Sequence, residues 1–168
     1  MAEAAFVIRR ATTSDIGAIA ALVNELSGLG QLLPRTAEDI QNSIDWWRVA
    51  HIEDQFMGCG SLVPYSKSRA EVRSLAVAEA ARGNGLGGEL LSALIAEAKA
   101  SDFETLFALT RAVPVFVAHG FRVGKRAQFP EKVWRDCLAC PLLLNCDETT
   151  VVLDLRPGGA NRRIPRRD

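Results

Sequence analysis

The sequence runs to 168 residues, enough to bury a real core and right for a single domain. Hydrophobic residues make up 48% and charged residues 24%, the balance of a globular protein. Twenty basic residues against twenty acidic ones leave no net charge, so no global field draws the chain to nucleic acid or to an anionic membrane.

No apolar run approaches the ~20 residues that a membrane span needs. Residues 1–10 lack the apolar stretch of a signal peptide. The expected location is cytoplasmic, with Cys59, Cys137, Cys140 and Cys146 kept as thiols. Residues 156–168 carry five arginines among Pro and Gly. Composition favours a solvated, disordered basic tail there over an anion-binding arm. One domain is therefore expected over residues 1–155, followed by that tail.

In chain order, residues 6–9 read as a short strand. Thr12 precedes Asp15 as an N-cap with an acidic first turn, and Ile16, Ile19, Val23 and Leu26 follow at helical spacing. Gly28 and Gly30 end that helix. Thr36 and Asp39 start a second one, with Ile40 and Ile44 on one face. Residues 47–52 and 56–63 flank the turn Glu53-Asp54 and predict a hairpin. Residues 71–77 form another strand. Leu90, Leu91, Leu94, Ile95 and Ala98 make a single stripe on a helix over 86–100. A strand at 106–110, a short helix at 114–119 stopped by Gly120, and strands at 121–123 and 150–155 complete the order. Residues 124–149 are long for a connection, and Pro130 opens a helix within them. The pattern is α/β: an antiparallel meander first, then a βαβ crossover.

Between the fourth strand and the best helix lies Arg82-Gly83-Asn84-Gly85-Leu86-Gly87-Gly88. Glycines there let backbone N–H groups approach a ligand, and the helix start adds the positive end of its dipole. Such a turn suits a pyrophosphate, with Arg82 as a full charge beside it. Gly83, Gly85 and Gly88 also satisfy the dinucleotide-binding spacing. That motif should follow the first strand directly and be answered by an acid ending the next strand. Here the next strand ends in Thr110-Arg111. No Lys-Ser or Lys-Thr follows, which excludes a Walker loop. A glycine-rich turn with no ligand is the plain alternative.

The segment Arg82-x-x-Gly85-x-Gly87 resembles the pyrophosphate loop of the GNAT acetyltransferases. Residues 71–77, Glu-Val-Arg-Ser-Leu-Ala-Val, look like that family's fourth strand, and Phe116-x-x-x-Gly120-Phe121 like its late helix-to-strand turn. The resemblance covers residues 6 to 155. It implies a mixed, mostly antiparallel twisted sheet of about seven strands with about four helices, splayed between the fourth and fifth strands. It also implies acetyl-CoA as cosubstrate, its pyrophosphate on the backbone of Arg82, Gly83, Asn84, Gly85, Leu86, Gly87 and Gly88. The pantetheine would lie along Leu75, Ala76 and Val77, near Phe116.

Amine acetylation needs a base for the ammonium and a proton source for the thiolate. Glu71 sits in a strand otherwise rich in apolar residues, where partial burial would raise its pKa towards neutrality. A pairing with Arg73 is the plain alternative. The resemblance favours the base, since members carry a Glu at this point. Many members use a tyrosine as acid where this chain has Phe116, and the one tyrosine, Tyr65, falls elsewhere in the sequence. Thr110 and Ser74 are the substitute hydroxyls, with ordinary strand hydroxyls as the alternative.

A finer resemblance is to the acetyltransferase domain of the N-acetylglutamate synthases, especially the short forms. It rests on residues 30–35, Gly-Gln-Leu-Leu-Pro-Arg, on Gly58-Cys59-Gly60, on residues 71–77, on residues 107–110, Phe-Ala-Leu-Thr, and on residues 129–137. It implies L-glutamate as acceptor, with Arg35 on a carboxylate, Glu71 as base and Thr110 as acid. Glutamate's two carboxylates call for cations, and Arg35, Arg73 and Arg111 supply them, with Lys132 as a weaker candidate. Another amine (a protein N-terminus, a lysine or a small molecule) and a non-catalytic CoA-binding module are the rival readings. No nucleic acid or membrane partner is expected, and a homodimer is left open.

Cys137-x-x-Cys140-Pro-x-x-x-x-Cys146 has the short spacing of a zinc knuckle, with Asp136, Asp147 or His119 as conceivable fourth ligand. No fourth ligand is evident, so packed thiols without metal are the expected state.

Overall fold

The structure, a computed structural model, describes residues 5–140 and 146–156. Twelve main elements run β1 (Val7–Arg10), α1 (Ile16–Gly28), α2 (Ala37–Asn42), β2 (Trp47–Ile52), β3 (Gln55–Pro64), β4 (Arg69–Val77), α3 (Leu86–Ala100), β5 (Thr105–Thr110), α4 (Val113–Ala118), β6 (Arg122–Val123), α5 (Pro130–Arg135) and β7 (Thr149–Asp154). The seven strands form one sheet in the order β1-β2-β3-β4-β5-β7-β6. Every adjacent pair is antiparallel except β4–β5. The expected mixed, mostly antiparallel sheet is therefore what forms. The helix expected to open at Pro130 forms as α5, ending at Arg135, and joins the four helices of the basic order. The expected late strand at 121–123 shrinks to Arg122–Val123, because Phe121 turns into the core instead.

Two cores lie on opposite faces of the sheet. On one face, Leu91, Leu94 and Ala98 of α3 pack on Leu62, Ala70, Val72, Leu106 and Val151. On the other, Ile19, Val23 and Leu26 of α1 join Ile40 to cover Trp47, Val49, Cys59 and Ala76. Alternation along β3 and β4 sorts residues between these faces. Gly58 and Gly60 stand where α3 comes closest. A Cβ on Gly58 would lie 2.7 Å from the Ala76 carbonyl oxygen and 3.1 Å from Leu90 Cδ1, and one on Gly60 would lie 2.9 Å from Leu94 Cδ1. Arg48 fastens the same helix by charge: its guanidinium is buried and its Nη2 meets Glu97 Oε2 at 2.6 Å.

The parallel pairing of β4 with β5 lasts only from Arg69–Thr105 to Glu71–Phe107. Beyond it β4 diverges. Its other edge stays on β3 but is interrupted, so that Ser74 and Leu75 together oppose Gly60. Ser74 has φ +54°, a left-handed value rare for a non-glycine residue. A bulge of this kind re-aims the side chains that follow it. Val72 faces α3, and after the bulge Leu75 does too, while Ala76 joins the core beneath α1. Of the basic tail, Arg156 is held by Glu104 at 2.7 Å, and the rest lies outside the described residues. Among the described residues, no helix is long and apolar enough to cross a membrane.

Gly58→Ala should cost about 1–3 kcal/mol of stability, since the added methyl meets a backbone carbonyl that cannot swing away. Urea unfolding of the two proteins measures it. An unchanged midpoint would mean that α3 has slack against β3.

Candidate active site

Where β4 and β5 part, a cleft of about 420 Å³ opens. Its walls carry Arg35, Glu71, Arg73, Ser74, Thr110, Arg111, Phe116, Lys132 and Glu148. The fold thus gathers into one cavity residues that lie more than a hundred positions apart in the sequence.

Glu71 is 2% exposed. Its partner is not Arg73. Lys132 Nζ lies 2.8 Å from Oε1, and the Tyr65 hydroxyl donates to Oε2 at 2.7 Å. Tyr65, remote in sequence from the late helix, is thus placed at the candidate base. Burial pushes its pKa up, and the neighbouring Glu71 carboxylate adds to this, so it remains a donor. Lys132 is 5% exposed and also bonds Asp136 at 2.9 Å. Asp136 in turn takes Arg73 Nη1 at 2.7 Å, with Arg35 Nη1 at 3.9 Å. Desolvation works to raise the Asp136 pKa, but Lys132, Arg73 and Arg35 outweigh it and the net shift is downward.

Arg35 directly precedes the N-cap of α2, whose Thr36–Asp39 capping box fixes the turn. The Asn24 side chain on α1 grips the Arg35 backbone twice, donating to its carbonyl at 2.8 Å and accepting from its N–H at 3.1 Å. Burial lowers the pKa of Arg35, and nearby Arg73 adds to the effect. The Nε atoms of Arg35 and Arg73 are both buried, without a hydrogen-bond partner among the described residues. A buried guanidinium N–H left unmatched is costly, and it marks where an acceptor oxygen would fit.

The second wall is β5 and the residues before β7. Thr110 Oγ1 accepts the N–H of Ala112 at 2.9 Å, which leaves its own proton available for donation. Arg111 reaches Asp147 at 2.7 Å, Glu148 at 3.4 Å and the Gln31 carbonyl at 3.3 Å, and so ties this wall to the loop after α1. It is more of a clasp than a free cation. Phe116 is buried edge-on against Phe121 at 5.1 Å and also lines the cleft. Ser74, 6% exposed, lines it at the bulge.

The glycine-rich turn lies at the far end of β4. Gly83 and Gly85 both have φ +79°, a backbone that favours glycine, and nothing stands within 4 Å of where their Cβ atoms would be. Gly85 is the N-cap of α3, a 15-residue helix whose first N–H groups lack intrahelical partners. The Leu86 side chain is buried in the core, so only its backbone faces the turn. Arg82 bends back, with Nε 3.4 Å from the Val77 carbonyl, and Asn84 is exposed. The turn leaves backbone N–H groups open at the start of α3, the arrangement that suits an anion.

Cys137, Cys140 and Cys146 line a small side cavity next to the cleft as free thiols. Among the described residues, no group of three His, Cys, Asp or Glu side chains could hold a metal ion. The conceivable fourth ligands are engaged elsewhere: Asp136 by Arg73 and Lys132, Asp147 by Arg111, and His119 Nδ1 with the Val115 carbonyl at 2.7 Å.

From the sequence, Lys132 reads as a weaker carboxylate binder and Asp136 as a conceivable metal ligand, and nothing local singles out Glu148. A carboxylate with a depressed pKa adds stability above its ordinary value of 3.8 and loses it as pH falls towards the folded value. Asp136→Asn should therefore destabilise the protein by about 3 kcal/mol at neutral pH, because Arg73 and Arg35 lose their carboxylate and Lys132 loses one of its two. The gap to wild type should begin to narrow as pH falls below about 4. Thermal unfolding across pH measures it, and a gap that does not narrow on acidification would contradict the ionic account.

Residues 24–121 match the acetyltransferase (GNAT) family. An uncharacterized N-acetyltransferase of Chlorobaculum tepidum is 34% identical over 88% of this chain and 96% of its own length. An amino-acid acetyltransferase of Shewanella oneidensis is 33% identical over 77% of the chain, which spans only 30% of that relative. Among solved structures, N-acetylglutamate synthase from Neisseria gonorrhoeae, complexed with coenzyme A and N-acetyl-glutamate, is 28% identical with a TM-score of 0.78. It covers 93% of this chain, and 36% of that chain is covered. A Mycobacterium tuberculosis protein in complex with CoA is 26% identical with a TM-score of 0.74, over 89% of this chain and 99% of that one. With its glycine turn, splayed sheet and family match together, the chain belongs to the GNAT family of acetyltransferases.

Proposed function

We propose that this acetyltransferase moves the acetyl group of acetyl-CoA onto the α-amino group of L-glutamate. The observation that carries the acceptor is the pair of buried, unmatched Nε atoms on Arg35 and Arg73 at the cleft. A carboxylate accepts two such bonds with fixed geometry. The amino-acid acetyltransferases and the N-acetylglutamate synthase among the relatives support the same acceptor. Two of the solved neighbours hold coenzyme A, and here the cosubstrate would enter from the glycine-rich end of the cleft, opposite Arg35. Its pyrophosphate would rest on the N–H groups from Arg82 to Gly88, and its pantetheine arm on the free edge of β4 at Leu75, Ala76 and Val77. Phe116 would form the floor beside it.

Bound acetyl-CoA supplies the thioester. In this reading Glu71, oriented by Lys132 and Tyr65, takes the ammonium proton through water. The amine forms the new C–N bond as the C–S bond breaks. A β4 N–H such as that of Ala76 holds the charge that develops on the thioester oxygen. The Thr110 hydroxyl, or Ser74 through water, gives a proton to the leaving sulfur and regains one from the nitrogen, which loses its second proton as the amide forms. A less acidic amine is the competing acceptor, and Asp136 is the observation behind it, since it already occupies Arg73 and Lys132.

Isotope-labelled acetyl-CoA with a panel of amines tests the acceptor. Turnover of L-glutamate above other amines is expected, and preference for an uncharged amine overturns it. Arg35→Ala should weaken glutamate use by roughly 10- to 100-fold, the worth of a charge-assisted pair, and leave the Michaelis constant for acetyl-CoA in place. Equal damage to both substrates would make Arg35 a support of the fold. Gly85→Val should abolish acetyl-CoA binding in a calorimetric titration, since a side chain there enters the anion site and strains a φ of +79°. Unchanged affinity would remove the pyrophosphate from this turn.

A further inference from the structure

Two carboxylates face the cleft, and they are held in different ways. Glu71 has both oxygens engaged, one by Lys132 and one by Tyr65. Glu148 stands on the opposite wall. It directly precedes Thr149, the first residue of β7, which pairs with Thr110 at the end of β5. The topology therefore sets Glu148 beside the candidate proton donor, at the point where β5 has left β4.

Its side chain is 27% exposed, and its partner among the described residues is Arg111 Nη1 at a loose 3.4 Å. Arg111 makes its shorter bond, 2.7 Å, to Asp147 instead. Burial raises the pKa of Glu148. Arg111 and Lys132 oppose the rise without cancelling it, while Glu71 and Asp147 add to it. A half-buried carboxylate with one long contact gains from a further cation.

We propose that Glu148 is the counter-ion of the acceptor's ammonium group. The assignment rests on the amino-acid acceptor proposed above and deepens it. The cleft then reads an amino acid by two poles, with Arg35 and Arg73 on a carboxylate and Glu148 on the amino group. Glu71 remains separate, fixed by Lys132 and Tyr65 for the proton transfer. A clasp role for Glu148, holding Arg111 in place, is the alternative that the test must separate.

Glutarate keeps both carboxylates of glutamate and lacks the amino group, so the pair of compounds isolates the ammonium. The full-length protein, loaded with CoA to prevent turnover, is titrated calorimetrically with each. Wild type should bind L-glutamate about 10- to 100-fold more tightly than glutarate. Glu148→Gln should lose that preference, with glutarate binding as in wild type and CoA affinity unchanged. If the variant keeps the preference, or loses affinity for both compounds equally, Glu148 only anchors Arg111 and the proposal is overturned. If wild type binds neither compound, the glutamate acceptor itself falls, and the ammonium role falls with it.

Discussion

Everything at this site depends on two neighbouring strands ceasing to share hydrogen bonds. β4 and β5 pair as parallel strands through Glu71–Phe107 and then separate. In a continuous sheet the backbone groups beyond that point would satisfy one another. Here they face a cleft instead, and whatever enters can use them. The bulge at Ser74 belongs to the same event. It holds β4 on β3 while rotating the following side chains, so that Leu75 still packs under α3 although the strand has bent away. The positive φ of Ser74 is strain kept at the site, held by β3 on one side and two packed cores.

The ionic cluster on the acceptor side follows from that opening. Among the described residues, the ion pairs of Lys132, Arg73 and Arg35 run to two carboxylates, Glu71 and Asp136. Buried charges are costly unless closely matched, and three cations here share those two partners. The loosest share falls to Arg35, whose contact with Asp136 is 3.9 Å long and whose Nε is unmatched. A substrate carboxylate would complete the balance. The cluster therefore carries an energetic cost that the proposed acidic acceptor would offset.

The wall that supplies Lys132 and Asp136 is attached to the sheet by stacking more than by pairing of strands. Phe129 lies flat on Phe107, with ring centroids 3.9 Å apart and planes 10° apart. The Arg69 guanidinium lies over the Phe129 ring at 5.1 Å and bonds Glu131 at 3.1 Å. These contacts press α5 onto the sheet directly over Glu71. A short helix that would be marginal alone is thereby made part of the site.

Local signals in the sequence determined a good deal. The apolar stripe of residues 86–100, the two runs flanking the turn Glu53-Asp54 and the glycines of the 82–88 turn each reflect short-range backbone geometry, and each appears where it was expected. Thr36 and Asp39 likewise cap α2 through neighbours three residues apart. The tertiary structure alone decided who meets whom. Arg73 and Asp136 are 63 residues apart, and Arg111 and Glu148 are 37 apart, distances over which no periodicity carries information. Tyr65 read as unrelated to the chemistry because it follows a strand in a loop, yet antiparallel return of β4 brings it onto Glu71, six residues later. Lys132 and Glu148 read as charges in a long connection, where exposure is the ordinary fate. Packing of that connection across the gap between β4 and β5 turned both inward, because the cleft left by the broken ladder is where an ionised side chain can find its partners.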